Sequence, residues 1–456
     1  MARLNSLNRW AFRVLTFGLL LAWLTGVALG LEASSKTWTL EEALSRAFET
    51  SPALQASKEA MESAAYKKKR AQTGFFPKLS TQYNYSYYDN PPKAKVPAQD
   101  FGVFTIPGST FAVGSQDNFG FNITLEQPIF TGLALTTNYE LAQLGVDLSK
   151  IKYQQEQLQL ALRVKETYFI FLGNQKLKLV ADQTVAQITD NVRIARNFFE
   201  VGLIPLNDLL KSEVELAEAR QKQIRAENLV LVAQSQLSTI LHLPLEQKVS
   251  VQDIQQYEPY EKRLSECKQE ALQNRPEVKE VLTQLEIAQK NIQLARSEYY
   301  PQVYLQSRYK KEGDTPNVSG SDFTYADNFE ISAGIRWNFW EWGRTHYLVQ
   351  EKIVEREQVK AAFIQVQDSV QLEVQEAFIT MKESEKNIGV AQKAIEQAEE
   401  NFRISEVRFR EQVATTLELF DAQTLLAQAK VNYYRALYGF QIAGARLQKA
   451  MGNYSF

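Results

Sequence analysis

Four segments of the chain alternate apolar and polar residues, which is the pattern of β-strands. They lie at 78–90, 117–128, 302–311 and 328–340, and the third is the least regular. In the second segment every other residue is apolar: Phe119, Phe121, Ile123 and Leu125. This pattern suits a transmembrane β-strand, which has lipid on one side and a watery lumen on the other. It equally suits a half-buried strand of a soluble β-sandwich.

Two much longer stretches have apolar residues at spacings of three, four and seven, as α-helices do. They lie at about 131–242 and 342–452, and we interpret each as a helical hairpin. No proline occurs between Pro128 and Pro205, so the first arm is expected to run nearly unbroken for on the order of 100 Å. A helix of that length is stabilised mainly by packing its apolar stripe, so we predict coiled coils.

The chain contains this arrangement twice. The first part of each copy recurs at one fixed offset and the second part at a slightly shorter one, as four pairs show: Pro52 and Pro276, Pro77 and Pro301, Phe119 and Phe329, Phe199 and Phe409. We therefore place a first repeat at 31–260 and a second repeat at 261–456. Because the offset shortens, the second repeat is expected to have a shorter connection between its two strands.

The segment 1–30 is typical of a secretory signal peptide. Arg3, Arg9 and Arg13 precede an apolar run that ends at the small residues of 28–30. A retained membrane anchor is the alternative, but the run is short for a spanning helix. We expect the mature chain to begin near Leu31 and to leave the cytoplasm.

Composition argues against several classes of function. One cysteine and two histidines offer neither an intrachain disulfide nor a Cys/His zinc site. No glycine-rich phosphate-binding motif is present, and no nucleophile, base and orienting group form a recognisable motif. A net charge of −2 gives no reason to expect a nucleic-acid partner. We therefore expect no enzyme, no metal and no cofactor.

Aromatic residues stand where helices and strands are predicted to meet: Phe75, Phe76, Phe130, Tyr299, Tyr300, Trp340 and Trp342. Amphipathic rings are favoured at membrane–water interfaces, so we predict an aromatic girdle at the periplasmic membrane interface. Together with the signal peptide, these rings favour the membrane interpretation of the strands. The smallest barrels need about eight strands, so other chains must complete this one, and the strand count does not choose between dimer, trimer and tetramer.

Two segments resemble the helix turns of the TolC family of outer-membrane efflux channels. They are RNFFEVGLIPLNDLLKSEVELAEAR at 196–220 and VRFREQVATTLELFDAQTLLAQAK at 407–430, and the resemblance extends over about 38–452. It implies a mixed membrane α/β fold of two tandem repeats. In that fold an oligomeric transmembrane β-barrel, with four strands per chain, continues into a long periplasmic α-helical coiled-coil barrel.

The same resemblance implies a function and partners. The protein is expected to be a trimeric duct of the outer membrane, exporting small molecules or, as in type I secretion, proteins. A periplasmic adaptor protein and an inner-membrane transporter would be its partners, beside outer-membrane lipid. The alternative is a periplasmic coiled-coil structural or adaptor protein that forms no channel.

The family's tunnels narrow at the second turn, where two aspartates per chain stand three residues apart. Glu418 and Asp421 occupy the matching positions. Residues i and i+3 of a helix share a face, so symmetric copies would surround a narrow passage with carboxylates and favour cations. The alternative is that both are ordinary solvated charges of a helix face.

A latch and a docking surface follow from the same resemblance. Asp208 matches an aspartate that holds the family's tunnel shut through a tyrosine and an arginine, but those positions are Phe409 and Ala414 here. We therefore expect a weaker latch, with Arg408 or Arg410 as other candidate partners for Asp208. The helix turns are expected to dock an adaptor, or else to pack between neighbouring hairpins, through Gly202, Leu203, Ile204, Leu206 and Val413.

Overall fold

The computed structural model describes residues 37–253 and 258–453, so the predicted signal peptide at 1–30 lies outside the described residues. The helices are α1 (Leu40–Thr50), α2 (Pro52–Thr73), α3 (Ala134–Glu200), α4 (Leu206–Ile240), α5 (Leu264–Asn274), α6 (Pro276–Arg296), α7 (Arg344–Arg410) and α8 (Thr416–Ala450). The strands are β1 (Thr37–Trp38), β2 (Lys78–Tyr87), β3 (Lys93–Val96), β4 (Gln99–Asp100), β5 (Thr105–Ile106), β6 (Ser109–Ala112), β7 (Asp117–Phe130), β8 (Ser250–Val251), β9 (Gln302–Gly313) and β10 (Asp327–Arg336).

The two long hairpins have matching dimensions. Helices α3 and α7 are each 67 residues long, and helices α4 and α8 are each 35 residues long. Left-handed backbone recurs at equivalent positions of the two copies: Gly132 and Trp342, Leu133 and Gly343, Gly202 and Gln412, His242 and Gly452. Non-glycine residues adopt positive φ reluctantly. The two copies therefore keep the same turn geometry even where one has glycine and the other does not.

The four long strands form one antiparallel sheet in the order β2, β7, β9, β10. Its register aligns the strands so that Leu79, Leu125, Ser307 and Ile331 lie in one row. The next row contains Ser80, Thr124, Arg308 and Glu330. The four alternations seen in the sequence thus combine into one mainly apolar face and one polar face. Strands β2 and β10 form the two edges of this sheet.

Two strands end earlier than the sequence predicted. Strand β2 ends at Tyr87 rather than at 90, close to Pro91 and Pro92, which have no N–H to donate to a ladder. Strand β10 ends at Arg336 rather than at 340, because its partner β9 begins opposite, at Gln302. Trp340 therefore lies in the connection to α7 and not in the sheet.

The connection between β2 and β7 is a β-hairpin of its own, which we call the loop hairpin (residues 88–116). Strand β3 pairs with β6 and strand β4 pairs with β5. The connection between β9 and β10, which we call the short loop (residues 314–326), contains no such ladder. The second repeat thus has the shorter connection between its strands, as the shortened offset predicted.

Each repeat has its own apolar core beside the long helices. In the first, buried residues of α1 and α3 meet the two-stranded sheet of β1 and β8: Trp38, Leu44, Tyr168, Leu172 and Val251. In the second, α5, α7 and α8 contribute Cys267, Val374, Met381, Phe440 and Leu447. Cys267 is fully buried in this core.

A charged cluster joins the second core to the end of the last helix. Arg275 is 4% exposed and donates hydrogen bonds to the carbonyl oxygens of Lys449 (3.4 Å) and Ala450 (3.3 Å). It also forms ion pairs of 2.8 Å with Glu277 and Glu373. Burial raises the pKa of the Glu373 carboxyl, but hydrogen bonds from Arg275 and Lys449 outweigh burial and hold that pKa below its ordinary value. Arg275 thus provides hydrogen-bond donors for carbonyl oxygens at the C-terminus of α8, which have no partner within the helix.

In the described ranges, no helix is both long enough and apolar enough to span a membrane. Helix α3 packs against α4 and α8, and α8 packs against α7. The outer members of this row, α4 and α7, leave apolar side chains exposed: Leu210, Val214, Ile224 and Leu231 on α4, and Val354, Ile364, Leu372 and Ile379 on α7. Each repeat thus exposes an apolar helix face of the kind that coiled coils bury.

We predict that Gly132→Ala lowers the free energy of unfolding by at least about 2 kcal/mol. Gly132 has φ +62°, and a Cβ there would lie 2.5 Å from the Ser297 carbonyl oxygen and 2.9 Å from Tyr300 Cβ. Gly145→Ala is the matched control, because Gly145 is helical and open around its Cα. It should raise stability by about 1 kcal/mol. Thermal unfolding followed by circular dichroism measures both, and an equal shift in the two variants would contradict the prediction.

Candidate constriction and membrane junction

Both long hairpins turn through the same backbone geometry. In the first turn the Leu203 N–H donates to the Phe198 carbonyl (2.8 Å), and in the second the Val413 N–H donates to the Arg408 carbonyl (2.8 Å). These bonds satisfy carbonyls at the helix ends, as in a Schellman motif. The left-handed residue that the motif needs is Gly202 in the first turn and Gln412, with φ +62°, in the second.

The acidic pair lies in the first two turns of α8. Thr415 caps this helix, because its Oγ1 accepts a hydrogen bond from the Glu418 N–H (3.2 Å). The Glu418 carboxylate also lies 3.8 Å from the Arg408 guanidinium. Both Glu418 and Asp421 are exposed in the single chain. Their exposure is compatible with a ring of carboxylates, but that ring needs neighbouring chains and stays a prediction.

The proposed latch residues have other partners within the chain. Asp208 lies 3.6 Å from Lys211 of its own helix. Arg408 pairs with Glu418 and Arg410 pairs with Glu406 (2.7 Å). In the part of the chain that the structure describes, neither arginine forms an ion pair with Asp208.

Phe409 is part of an apolar contact instead. It is 3% exposed, and its ring centre lies 5.8 Å from that of Phe198 on the neighbouring hairpin arm. Ala414 is half-buried in the second turn. A phenylalanine at 409 therefore makes a ring contact with Phe198 of α3 and supplies no hydrogen bond. The role of Asp208, Phe409 and Ala414 as a gate stays a prediction.

A buried amide cluster joins α3 to α8 just beyond the acidic pair. Gln423, 2% exposed, accepts a hydrogen bond from Asn191 Nδ2 (3.1 Å). It donates to the Thr184 carbonyl (3.4 Å) and to Gln187 Oε1 (3.3 Å). No pattern in the sequence predicted this cluster. The available signal was a glutamine on the apolar stripe of α8, between Phe420 and Leu426.

The turns expose apolar side chains at the end of the molecule away from the sheet. Leu203, Leu206 and Val413 are exposed, whereas Ile204 is half-buried. Gly202 has φ +77° and open space around its Cα. An apolar tip of this kind is available for contact with a partner or with a neighbouring hairpin, and its docking role stays a prediction.

The aromatic junctions cluster at the helical end of the sheet. The rings of Phe130 and Tyr300 pack edge to face at 6.5 Å, and those of Trp340 and Trp342 at 5.6 Å. Hydrogen bonds join the junctions: Gln127 Nε2 donates to the Phe75 carbonyl (3.0 Å), and Trp337 Nε1 donates to the Tyr299 carbonyl (3.1 Å). Phe76 is exposed beside them. All seven predicted aromatics thus lie close to strand ends, at the end of the sheet that is next to the helices.

This architecture, an amphipathic antiparallel sheet continued by long helical hairpins, is that of outer-membrane channels. The sequence matches the outer membrane efflux protein family over residues 43–241 and 268–453. The chain belongs to this family. It is an outer-membrane efflux duct that extends into the periplasm, and the alternative of a non-channel coiled-coil protein finds no support. No curated protein matches the sequence.

Solved outer-membrane channels have the same fold. The chain is 14% identical to the channel OprN, with a TM-score of 0.74 over 91% of this chain and 90% of that one. It is 15% identical to CusC, with a TM-score of 0.74 over 91% and 92%. It is 16% identical to the Campylobacter jejuni channel CmeC, with a TM-score of 0.75 over 91% and 85%. The predicted fold class is confirmed by these similarities.

We predict that Gln423→Leu destabilises the contact between α3 and α8 by about 1–3 kcal/mol, because Asn191 and Gln187 lose their buried amide partner. The control is Gln428→Leu on the same helix, where the exposed amide bonds Asn432 of that helix (2.8 Å). Thermal unfolding of both variants measures the difference. Equal midpoints would mean that the amide cluster does not stabilise the contact.

Proposed function

We propose that three copies of this chain form the duct. The observation that carries the proposal is a four-stranded sheet with one apolar face and two edges, β2 and β10. In lipid an open edge would leave backbone N–H and C=O groups unpaired, and closure with other copies removes the edges. The exposed apolar faces of α4 and α7 support the same closure in the helical part. Among dimer, trimer and tetramer, the resemblance to the TolC family favours the trimer.

The transport path passes through the sheet and the helices. The polar sheet face carries Ser80, Asn84, Asn122 and Ser332, which offer hydrogen bonds to water without a shaped binding pocket. We infer a duct for small molecules or secreted proteins whose selectivity comes from an inner-membrane transporter. A periplasmic adaptor protein would join that transporter to the helical tips. The chain itself would carry out no bond chemistry.

Glu418 and Asp421 would form the narrowest ring of this path. Three copies bring six carboxylates together, and such a ring concentrates cations. Thr415 Oγ1 donates to the Glu418 carboxylate (3.4 Å) and the Arg408 guanidinium lies 3.8 Å from it, so these two residues would orient the carboxylate at the start of α8.

Single-channel recording in a planar bilayer under a salt gradient tests both the duct and the ring. The wild type should conduct and prefer cations, and the double variant Glu418→Gln with Asp421→Asn should conduct without that preference. The control is Asp190→Asn with Glu400→Gln, which removes the same charge from exposed helix positions paired with Arg193 and Arg403. Unchanged selectivity in the first double variant would place these carboxylates outside the pore. A wild type without channels would contradict the duct itself.

Docking at the tips has a separate test. We expect Leu203→Ser to abolish efflux-dependent survival in cells that depend on this protein, because the substitution removes an exposed apolar contact from the turn. Conductance and the yield in the outer membrane should stay normal. Leu245→Ser is the control, since Leu245 is also exposed but follows α4 at its other end. Survival at the wild-type level in the Leu203 variant would remove Leu203 from the adaptor surface.

A further inference from the structure

A cavity of about 280 Å³ lies between α3, α4 and α8. On the side of the hairpin turns, these three helices share a small apolar core made of Ile188, Val192, Ala219 and Phe420. The cavity begins at this core, since Ile188 and Ala219 also line it. From there it extends along the three helices to Leu229 on α4. Helix α3 is therefore the floor of the cavity, and α4 and α8 are its two sides.

The wall of the cavity is mainly apolar and contains many small side chains. Its apolar residues include Leu177, Ala181, Ala226, Leu229, Ala427 and Val431. The alanines come from all three helices and leave the space between them open. A cavity of about 150 Å³ between apolar side chains holds benzene. The present cavity therefore has room for an apolar body of about two fused rings.

The rim of the cavity carries an excess of positive charge. It contains Lys222 and Arg225 on α4 and Arg435 on α8, but only one acidic residue, Glu215. In the part of the chain that the structure describes, none of these three basic side chains forms an ion pair. A guanidinium group binds a planar or tetrahedral acid group through charge-assisted hydrogen bonds. The rim and the wall together suit a ligand with an acid group and an apolar body.

The cavity lies on the face of α8 that carries the acidic pair's Asp421. Asp421, Gln428 and Arg435 follow one another at intervals of seven residues, so they share one face of the helix. Gln428 and Arg435 line the cavity. If Asp421 lines the transport path, the cavity opens onto that path as well, and to this extent the inference rests on the proposed function. Arg435 lies two heptads from Asp421, or about 21 Å along the helix.

A neighbouring copy would not be expected to fill the cavity. On α4 the cavity is lined by Ala219, Lys222 and Ala226. At about 100° per residue, Val214 and Leu210 are turned by about 140° and 180° from Ala219. These two residues belong to the exposed apolar face of α4 that the proposed oligomer would bury. The cavity is thus on a different face of α4.

We propose that this cavity binds an amphipathic organic anion on the transport path. The apolar body lies against the alanines of the three helices. The acid group lies between Arg225 on one side and Arg435 on the other. An anion that has passed the acidic ring next meets this positive rim, which holds it and opposes its return. The proposal thus adds a class of cargo, anions with an apolar body, to the proposed duct.

Equilibrium dialysis of the whole protein in nanodiscs tests the site, with empty nanodiscs as the blank. The probes are naphthalenesulfonate and naphthylmethylammonium, which share a two-ring body and carry opposite charges. We expect saturable binding of the sulfonate and binding of the ammonium that is about tenfold weaker or more. Methanesulfonate, which has the acid group without the rings, should not displace the bound sulfonate. Equal affinities for the two probes, or displacement by methanesulfonate, would overturn the proposal.

Substitutions place the binding in this cavity. Arg225→Gln with Arg435→Gln should weaken sulfonate binding about tenfold or more, because the acid group loses both charged partners. The control is Arg220→Gln with Lys393→Gln, which removes the same charge from exposed positions outside the cavity. Ala427→Phe fills the cavity and should abolish binding while every charge stays. Wild-type affinity in the first variant or in the Ala427 variant would contradict the site, and circular dichroism checks that both are folded.

Single-channel recording relates the site to the path. Naphthalenesulfonate on the barrel side should reduce the wild-type current, and Arg225→Gln with Arg435→Gln should relieve this block. The same probe on the side of the helical tips should block less, because the acidic ring repels anions before they reach the cavity. Saturable binding without any block would show that the cavity opens away from the path and would overturn that part of the proposal. A wild type that binds the sulfonate but forms no channels would instead contradict the proposed function.

Discussion

The hydrogen-bonding demand of the backbone in lipid is the constraint on which this architecture depends. An unpaired N–H or C=O group costs several kcal/mol in hydrocarbon, and within the described residues the sheet edges β2 and β10 are both open. A single chain is therefore incomplete in the membrane. The helical part has the same incompleteness, since α4 and α7 at the two ends of the helix row expose apolar faces. Assembly with other copies would pair the backbone groups of the sheet edges and bury the apolar helix faces at the same time.

The two copies of the tandem repeat form the same hairpin turn from different residues. The left-handed position of the first turn is Gly202, but the second turn uses Gln412 and caps its helix with Thr415. Thr415 and Arg408 both contact Glu418, so this residue stabilises the start of α8 before any role in a pore. The amide cluster around Gln423 then joins that helix to α3. Turn, cap and cluster together fix the second hairpin where the path is expected to be narrowest.

Much of the fold was predictable because its elements have strong local signals. Period-two alternation located the four long strands, and the absence of proline gave the length of α3. The strand ends were less predictable, because β10 stops where its partner β9 begins and not where its own alternation ends. The sequence showed that Phe409 offers no hydroxyl group, but its ring contact with Phe198 joins residues of two different hairpins and has no local signal. Gln423 was missed because a single polar residue on an apolar stripe has no distinctive local pattern.

The sequence by itself determined the repeat, the amphipathic strands, the long helices and the family, because these properties depend on spacing along one chain. Tertiary structure alone decided how the strands align, since a slip of one residue would have exchanged the apolar and polar faces of a strand. It also decided that Arg275 binds the end of α8 and that Asn191 meets Gln423, 232 residues away. Such contacts join residues that are distant in sequence. Their geometry is set by packing, which no local pattern records.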